Sequence, residues 1–181
     1  RSAVRDAITT LKGKGIVEVR QGEGAFIRSF DSAELFTHSF MLNKEDVEEI
    51  FAVRKILEAG SAELAALNRT NEHLLRMEAA LKTLEKSQSL NDWEADYAFH
   101  LAIAEATCNK VVIQLMKTVS GLLKKAVLNC HRLALQSKDV DLTIQKQHTA
   151  IFKAIKGRNP EEARLAMLNH LIYIQSLLAK E

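Results

Sequence analysis

The feature that most constrains the fold is the helical periodicity of apolar residues from residue 31 to the end of the sequence. Apolar side chains recur there every three to four residues over long stretches, and short polar segments separate these stretches. The whole chain contains one proline, Pro160. A period of 3.6 residues places apolar side chains on one face of an α-helix, and few breakers interrupt it here. We therefore predict an all-α domain over residues 31–181, and its short connections favour an antiparallel bundle of six to seven helices.

Capping signals support several of the predicted boundaries. Asn43, Asn91 and Asn159 stand at N-cap positions, where a side-chain oxygen can accept a backbone N–H, and Pro160 suits a first helical turn. The predicted helices span residues 31–40, 45–68, 71–87, 91–107, 109–135, 141–157 and 160–179.

The first 28 residues combine concentrated positive charge with a shorter pattern. They carry six basic and three acidic residues, a net charge of +3, whereas the whole chain has a net charge of +2. The first residues of this segment predict a short amphipathic helix that ends at Gly13 or Gly15. Its apolar face carries Val4, Ala7, Ile8 and Leu11, and its opposite face carries Arg1, Arg5 and Lys12. Such a basic face is typical of a surface that docks on a polyanion, although an ordinary solvated helix face has the same composition.

Two short strands joined by a glycine turn follow this helix. Residues 16–20 and 25–28 are the predicted strands, and Gln21-Gly22-Glu23-Gly24 connects them. Glycine permits positive φ in such a turn and allows another molecule to approach the backbone closely. A helix, a strand, a glycine turn and a second strand, in that order, indicate a wing.

This segment resembles the second half of the winged helix-turn-helix of the GntR family of bacterial transcription regulators. The resemblance covers residues 1–27, RSAVRDAITTLKGKGIVEVRQGEGAFI. It implies that the helix enters the major groove of duplex DNA and that the wing tip reaches the minor groove. Arg1, Ser2 and Arg5 are then the expected groove and phosphate contacts, with Gln21 and Gly22 at the wing tip. An arginine fork suits guanine O6 and N7, and a glycine amide can approach a phosphate.

The same resemblance implies that residues 1–30 are part of a DNA-binding domain, namely its recognition helix and wing. In the GntR family two further helices precede the recognition helix, and this sequence begins at Arg1, without them and without methionine. We therefore expect an N-terminally truncated chain whose intact parent binds DNA. The fragment itself is expected to bind DNA poorly, with residues 1–28 mobile or abnormally packed, because a helix and a wing cannot close a winged-helix core.

Composition predicts a cytoplasmic protein with no membrane partner. A hydrophobic content of 47% is enough for a buried core. The sequence has no apolar run of about 18 residues and no basic segment followed by an apolar leader. Cys108 and Cys130 form no CxxC pair, so we expect both to be reduced.

The residues best suited to chemistry in the helical part are one carboxylate and three imidazoles. Asp96 and His100 lie four positions apart and therefore on one helix face. His148 and His170 each interrupt an apolar helical series, so both imidazoles are expected to point inward. A hydrogen-bonded core histidine is the simpler explanation for each one alone. A divalent cation would satisfy all four with nitrogen and oxygen ligands; we expect zinc, with nickel and manganese as alternatives.

Three segments of the helical part resemble the signatures of the FCD ligand-binding domain, found in the FadR subfamily of GntR regulators. In metal-binding members of that family, the positions matching Asp96, His100, His148 and His170 form the metal site, which the carboxylate of an effector often completes. The resemblance spans most of residues 45–179, and it implies an FCD effector-binding and dimerisation domain over residues 31–181. The three segments are RKILEAGSAELAA, DYAFHLAIAEATCN and QHTAIFKAIKGRNPEEARLAMLNH.

Arg54 lies where the FCD family has an arginine near the effector pocket. Its guanidinium would suit a carboxylate, so the resemblance implies that a small organic acid, such as a hydroxy acid, keto acid or sugar acid, is the effector. The alternative role of Arg54 is a surface ion pair with Glu58, four residues further along the helix.

Both resemblances imply a transcriptional regulator rather than an enzyme. Its helical domain would bind a metal and an effector that modulates operator binding, and the family implies a homodimer on a palindromic operator. Two alternatives remain. A sensor of the metal itself would have the same sequence. A metallohydrolase would use the metal to activate water, but no HExxH motif or comparable general base is present.

Overall fold

A computed structural model describes residues 2–27, 44–86, 93–120 and 137–179 of the chain. Helix α1 (Ser2–Gly13) is followed by strands β1 (Val17–Arg20) and β2 (Gly24–Ile27). The predicted helix over residues 31–40 and the proposed caps Asn43 and Asn91 lie outside the described residues. The helices that follow are α2 (Lys44–Asn68), α3 (Asn71–Glu85), α4 (Trp93–Ala106), α5 (helical from residue 110 to residue 120, where the described residues stop), α6 (Lys138–Lys156) and α7 (Pro160–Leu178).

The predicted class, an all-α chain with a two-stranded wing, is confirmed. Strands β1 and β2 pair antiparallel, with Val17 opposite Ile27 and Arg20 opposite Gly24. The turn between them has positive φ at Gly22 (+82°) and Gly24 (+116°), a conformation that side chains with a Cβ rarely adopt. Helix α1 packs against β1, and no residue of α1 is buried.

Helices α2, α3, α4, α6 and α7 form the bundle. Helix α2 packs against α4, α6 and α7, while α3 packs against α4 and α6. Alanines at positions 62, 65 and 66 of α2 are fully buried, and such small side chains let neighbouring helices approach closely. The other fully buried side chains of the core include Met77, Phe99, Ile103, Ile151, Ile155, Met167 and Leu171.

Polar residues fix the helix ends around this core. Thr70 and His73 form a reciprocal capping box at the start of α3. Ser137 caps α6, which therefore begins at Lys138, three residues earlier than predicted. Asn159 occupies the predicted N-cap position of α7, but its side chain bonds Glu162 instead of a backbone N–H.

Two arginines join the ends of helices at one end of the bundle. Arg158 Nη1 donates a hydrogen bond to the carbonyl of Leu67 (2.7 Å), near the end of α2. In the opposite direction, Arg69 Nη2 donates to the carbonyl of Lys156 (2.6 Å), at the end of α6. The last carbonyls of a helix lack partners within it, so these bonds satisfy groups that would otherwise be left open. None of the described helices is long and apolar enough to cross a bilayer.

Candidate metal centre

The four predicted ligands converge inside the bundle. Asp96 and His100 lie one turn apart on α4, while His148 lies on α6 and His170 on α7. One donor atom from each of the four side chains lies within 4.8 Å of the others. Helix α4 and the consecutive helices α6 and α7 therefore place a carboxylate and three imidazoles around one point.

His148 and His170 lie inside the bundle because they stand on the apolar, buried faces of their helices. His148 precedes Ile151 and Ile155 on the buried face of α6, and His170 shares the buried face of α7 with Met167 and Ile174. The three imidazoles are 2–3% exposed. Their inward orientation follows the helical period of the surrounding apolar residues.

Distances within the cluster are short. Nε2 of His148 lies 3.3 Å from Oδ1 of Asp96, and Nε2 of His100 lies 4.0 Å from the same oxygen. The ring centroids of His148 and His170 are 4.5 Å apart, and that of His100 lies 5.4 Å from His170 and 5.6 Å from His148. Phe99 packs against the rings of both His100 and His148 and supplies an apolar wall.

The charge state of His170 suits a cation. Burial, together with the neighbouring His148 and His100, lowers the pKa of His170 well below its ordinary value of 6.5. His170 is therefore neutral at pH 7, the form in which an imidazole binds metal. Nε2 of His100 is buried and makes no hydrogen bond with any described residue. A divalent ion with nitrogen and oxygen ligands fits this donor set.

Asp96 is the most accessible member of the cluster. Its side chain is 14% exposed, against 2% for the side chains of His100 and His148. Solvent therefore reaches this carboxylate more readily than the imidazoles of His100 and His148.

Two side chains that the sequence did not predict border the cluster. Nδ1 of His170 lies 3.1 Å from Oε1 of Gln147 on α6. Nδ1 of His100 lies 2.5 Å from Oε2 of Glu58 on α2, although the two atoms do not form a well-aligned hydrogen bond. Gln147 is adjacent to His148 in the sequence, but its contact with His170 depends on how α6 packs on α7.

Arg54 forms the ion pair with Glu58 that the sequence offered as an alternative, but the pair is buried rather than on the surface. Nε of Arg54 bonds Oε1 of Glu58, and the two side chains are 6% and 3% exposed. Burial alone would raise the pKa of Glu58, but Arg54 and His100 more than offset it and hold the pKa at about 2. A carboxylate that is charged at neutral pH is thus enclosed beside the imidazoles.

The predicted DNA contacts lie on α1 and the wing. Ser2 and Arg5 are exposed on α1, and Gln21 and Gly22 are exposed in the turn, whereas Arg1 lies outside the described residues. Arg20, beside the turn, pairs with Glu18 at 2.7 Å and with Glu23 at 3.8 Å. Part of the basic charge near the turn is therefore neutralised within the wing.

Comparisons with known proteins cover almost the whole chain. The family model of the FCD domain matches residues 49–172. The HTH-type transcriptional regulator LutR of Bacillus subtilis is 37% identical, over 99% of this chain and 84% of its own length. The Glc operon transcriptional activator of Escherichia coli is 30% identical, over 94% of this chain and 71% of its own length.

Among solved structures, Streptococcus agalactiae GntR superposes with a TM-score of 0.72 and 26% identity, covering 97% of this chain and 81% of that one. These relatives are regulators, which argues against the metallohydrolase alternative. The chain belongs to the GntR family of transcriptional regulators, is not an enzyme, and carries an FCD domain.

Proposed function

We propose that this regulator binds one divalent ion through Asp96, His100, His148 and His170, and that a small organic acid completes the site and modulates operator binding. The observation that carries the proposal is the convergence of three buried imidazoles and one carboxylate within 4.8 Å. Zinc is the ion we expect, because three imidazoles and a carboxylate oxygen are common zinc ligands; nickel and manganese are the alternatives.

The energetic argument favours an ion over a cluster of ordinary core histidines. A buried polar group costs free energy unless it is paired, and here three imidazoles share one apolar compartment with a carboxylate. Nε2 of His100 has no hydrogen-bond partner among the described residues. One cation would satisfy that nitrogen, which hydrogen bonds with the described residues leave open, and would bind the other three side chains with it.

The effector proposal depends on access and charge. The approach to the ion would be from the side of Asp96, the most exposed of the four ligands. An organic acid would reach the cation with a carboxylate oxygen, and the cation would offset the cost of burying that charge. The positive charge of Arg54 acts on the same compartment, since it contributes to lowering the pKa of His170. We propose that Arg54 favours an anionic effector there.

The DNA proposal assigns residues 1–30 to the reader and residues 31–181 to the effector domain. Ser2 and Arg5 of α1, with Arg1 before them, would contact the major groove and the phosphates, and Gln21 and Gly22 would lie at the wing tip. A homodimer would place two such readers on the half-sites of a palindrome. The effector would act by changing the relative placement of the two readers.

Titration calorimetry separates the parts of this proposal. Zinc is titrated into metal-free protein, and a panel of hydroxy, keto and sugar acids is then titrated into the zinc-loaded and metal-free forms. We expect zinc to bind with a stoichiometry of one, and an acid to bind the zinc-loaded form more tightly, because metal and acid are linked reciprocally. His148→Ala should weaken both, and His73→Gln, a histidine outside the cluster, should weaken neither.

Three outcomes would count against the proposal. If zinc does not bind, or binds His148→Ala equally well, the metal site is wrong. If an acid binds equally with and without zinc, the ion is structural and the effector lies elsewhere. If zinc alone changes operator binding and no acid adds to the change, the protein is a sensor of the metal itself.

A further inference from the structure

Glu58 is a charged side chain that neither of the family resemblances placed in the site. It lies on α2, is 2% exposed, and faces α4 through its Oε2 atom. A carboxylate in such a position loses its hydration, so its burial costs free energy that only close partners can recover. Its partners here are Arg54 at Oε1 and the His100 ring at Oε2.

The two nitrogens of the His100 ring face in different directions. Nδ1 lies 2.5 Å from Glu58, whereas Nε2 lies on the side of Asp96, 4.0 Å from Oδ1. Oε2 of Glu58 makes no well-aligned hydrogen bond with any described residue. A proton on Nδ1 would lie beside this oxygen and would leave the lone pair of Nε2 on the side of the cluster.

His170 has a similar arrangement with a neutral partner. Its Nδ1 contacts the amide oxygen of Gln147, which leaves Nε2 as the nitrogen available for a ligand bond. An acceptor behind a metal-binding imidazole fixes its tautomer and orientation, and an anionic acceptor also increases the basicity of the ring. The charged partner of His100 would therefore have the larger effect.

We propose that Glu58 is a positioning residue for the metal centre: it holds the Nδ1–H of His100, so that Nε2 faces the ion, and Arg54 holds Glu58 in place. This inference rests on the metal site of the proposed function. It also gives Arg54 a role that does not require an effector. The chain of contacts from Arg54 through Glu58 to His100 connects helix α2 with the metal centre.

The test compares zinc affinity, measured by competition with a chelator, in wild type and three variants. Glu58→Gln keeps an acceptor but removes the charge. The double variant Arg54→Met with Glu58→Leu replaces the buried ion pair with apolar side chains of similar size, a change that buried ion pairs often tolerate. Glu72→Gln is the matched control, because Glu72 forms the same i,i+4 pair with Arg76 on the exposed face of α3.

We expect the double variant to lose about 10- to 100-fold in zinc affinity, Glu58→Gln to lose less, and Glu72→Gln to match wild type. Thermal unfolding of the metal-free proteins verifies that each variant is folded. A second readout needs no metal: the ¹⁵N shifts of the His100 ring in metal-free wild type should show the proton on Nδ1, and Glu58→Gln should reduce that preference.

The possible failures are distinguishable. Equal zinc affinity in wild type and in the folded Glu58 variants overturns this inference and leaves the metal site in place. A His100 ring protonated on Nε2 in metal-free wild type overturns it as well. If wild type itself binds no zinc, the proposed metal site fails, and the positioning role fails with it.

Discussion

Acid should destabilise the metal-free bundle through His170. The ring is 2% exposed, and burial together with His148 and His100 lowers its pKa well below 6.5. In the unfolded chain the same ring has an ordinary pKa near 6.5 and takes up a proton as the pH falls. The unfolded state therefore binds more protons than the native state below that pH, so stability is present above about pH 6.5 and decreases as the pH falls.

The expected loss in the free energy of unfolding follows from the one proton per chain that the ring of His170 takes up on unfolding. Each pH unit below about 6.5 costs about 1.4 kcal/mol for a ring that stays neutral in the native state, or about 2 kcal/mol by pH 5. For a chain of 181 residues this corresponds to a decrease in Tm of about 4 to 8 °C.

Urea unfolding between pH 7 and pH 5, in the presence of a chelator, measures this contribution. Wild type is compared with His170→Gln, which cannot take up the proton, and with His73→Gln, which retains the buried ring. We expect the pH dependence of the free energy of unfolding to fall by about one proton in His170→Gln, whereas His73→Gln keeps the contribution of the buried ring. Equal pH dependence in wild type and His170→Gln would refute the argument that this ring stays neutral.

Two further predictions concern the DNA reader and the core. In a protein that carries the whole winged helix-turn-helix, Arg5→Ala should weaken operator binding about tenfold or more, because a contact from the exposed face of α1 to a base or phosphate is lost; anisotropy titrations at several salt concentrations measure this, and equal binding would remove α1 from the interface. Met167→Ala should lower the free energy of unfolding by about 2 to 5 kcal/mol, since Met167 is 1% exposed in the core. Leu165→Ala, at a position 44% exposed on the same helix, should change it by about 0.5 kcal/mol or less; similar losses in both variants would contradict the assignment of the buried face.

Much of the fold could be predicted because its helices are long and strongly periodic. The predicted bounds of α3 and α7, and the predicted ends of α2 and α4, agree with the structure within two residues. The start of α6 was predicted three residues too late, because the capping role of Ser137 depends on its backbone conformation, which the apolar pattern does not give. Apolar periodicity locates the buried turns of a helix more accurately than the residue at which the helix begins.

Helical periodicity also determines which residues of the candidate site could be predicted from the sequence. The inward orientation of His148 and His170 could be predicted, since each takes a place in an apolar helical series. The environment of Glu58 could not, because an arginine and a glutamate four residues apart have the same pattern on a solvated helix and on a buried one. Only the packing of α2 against α4 makes that ion pair part of the site.

X-ray absorption spectroscopy of the protein loaded with zinc, together with metal analysis, tests the central claim most directly. We predict one zinc ion per chain, bound by three imidazole nitrogens and at least one oxygen at about 2.0 to 2.2 Å, with no sulfur ligand. The single variants His100→Ala, His148→Ala and His170→Ala should each lose one imidazole from the fitted shell. A stoichiometry well below one, a sulfur ligand, or an imidazole shell unchanged in these variants would contradict the account.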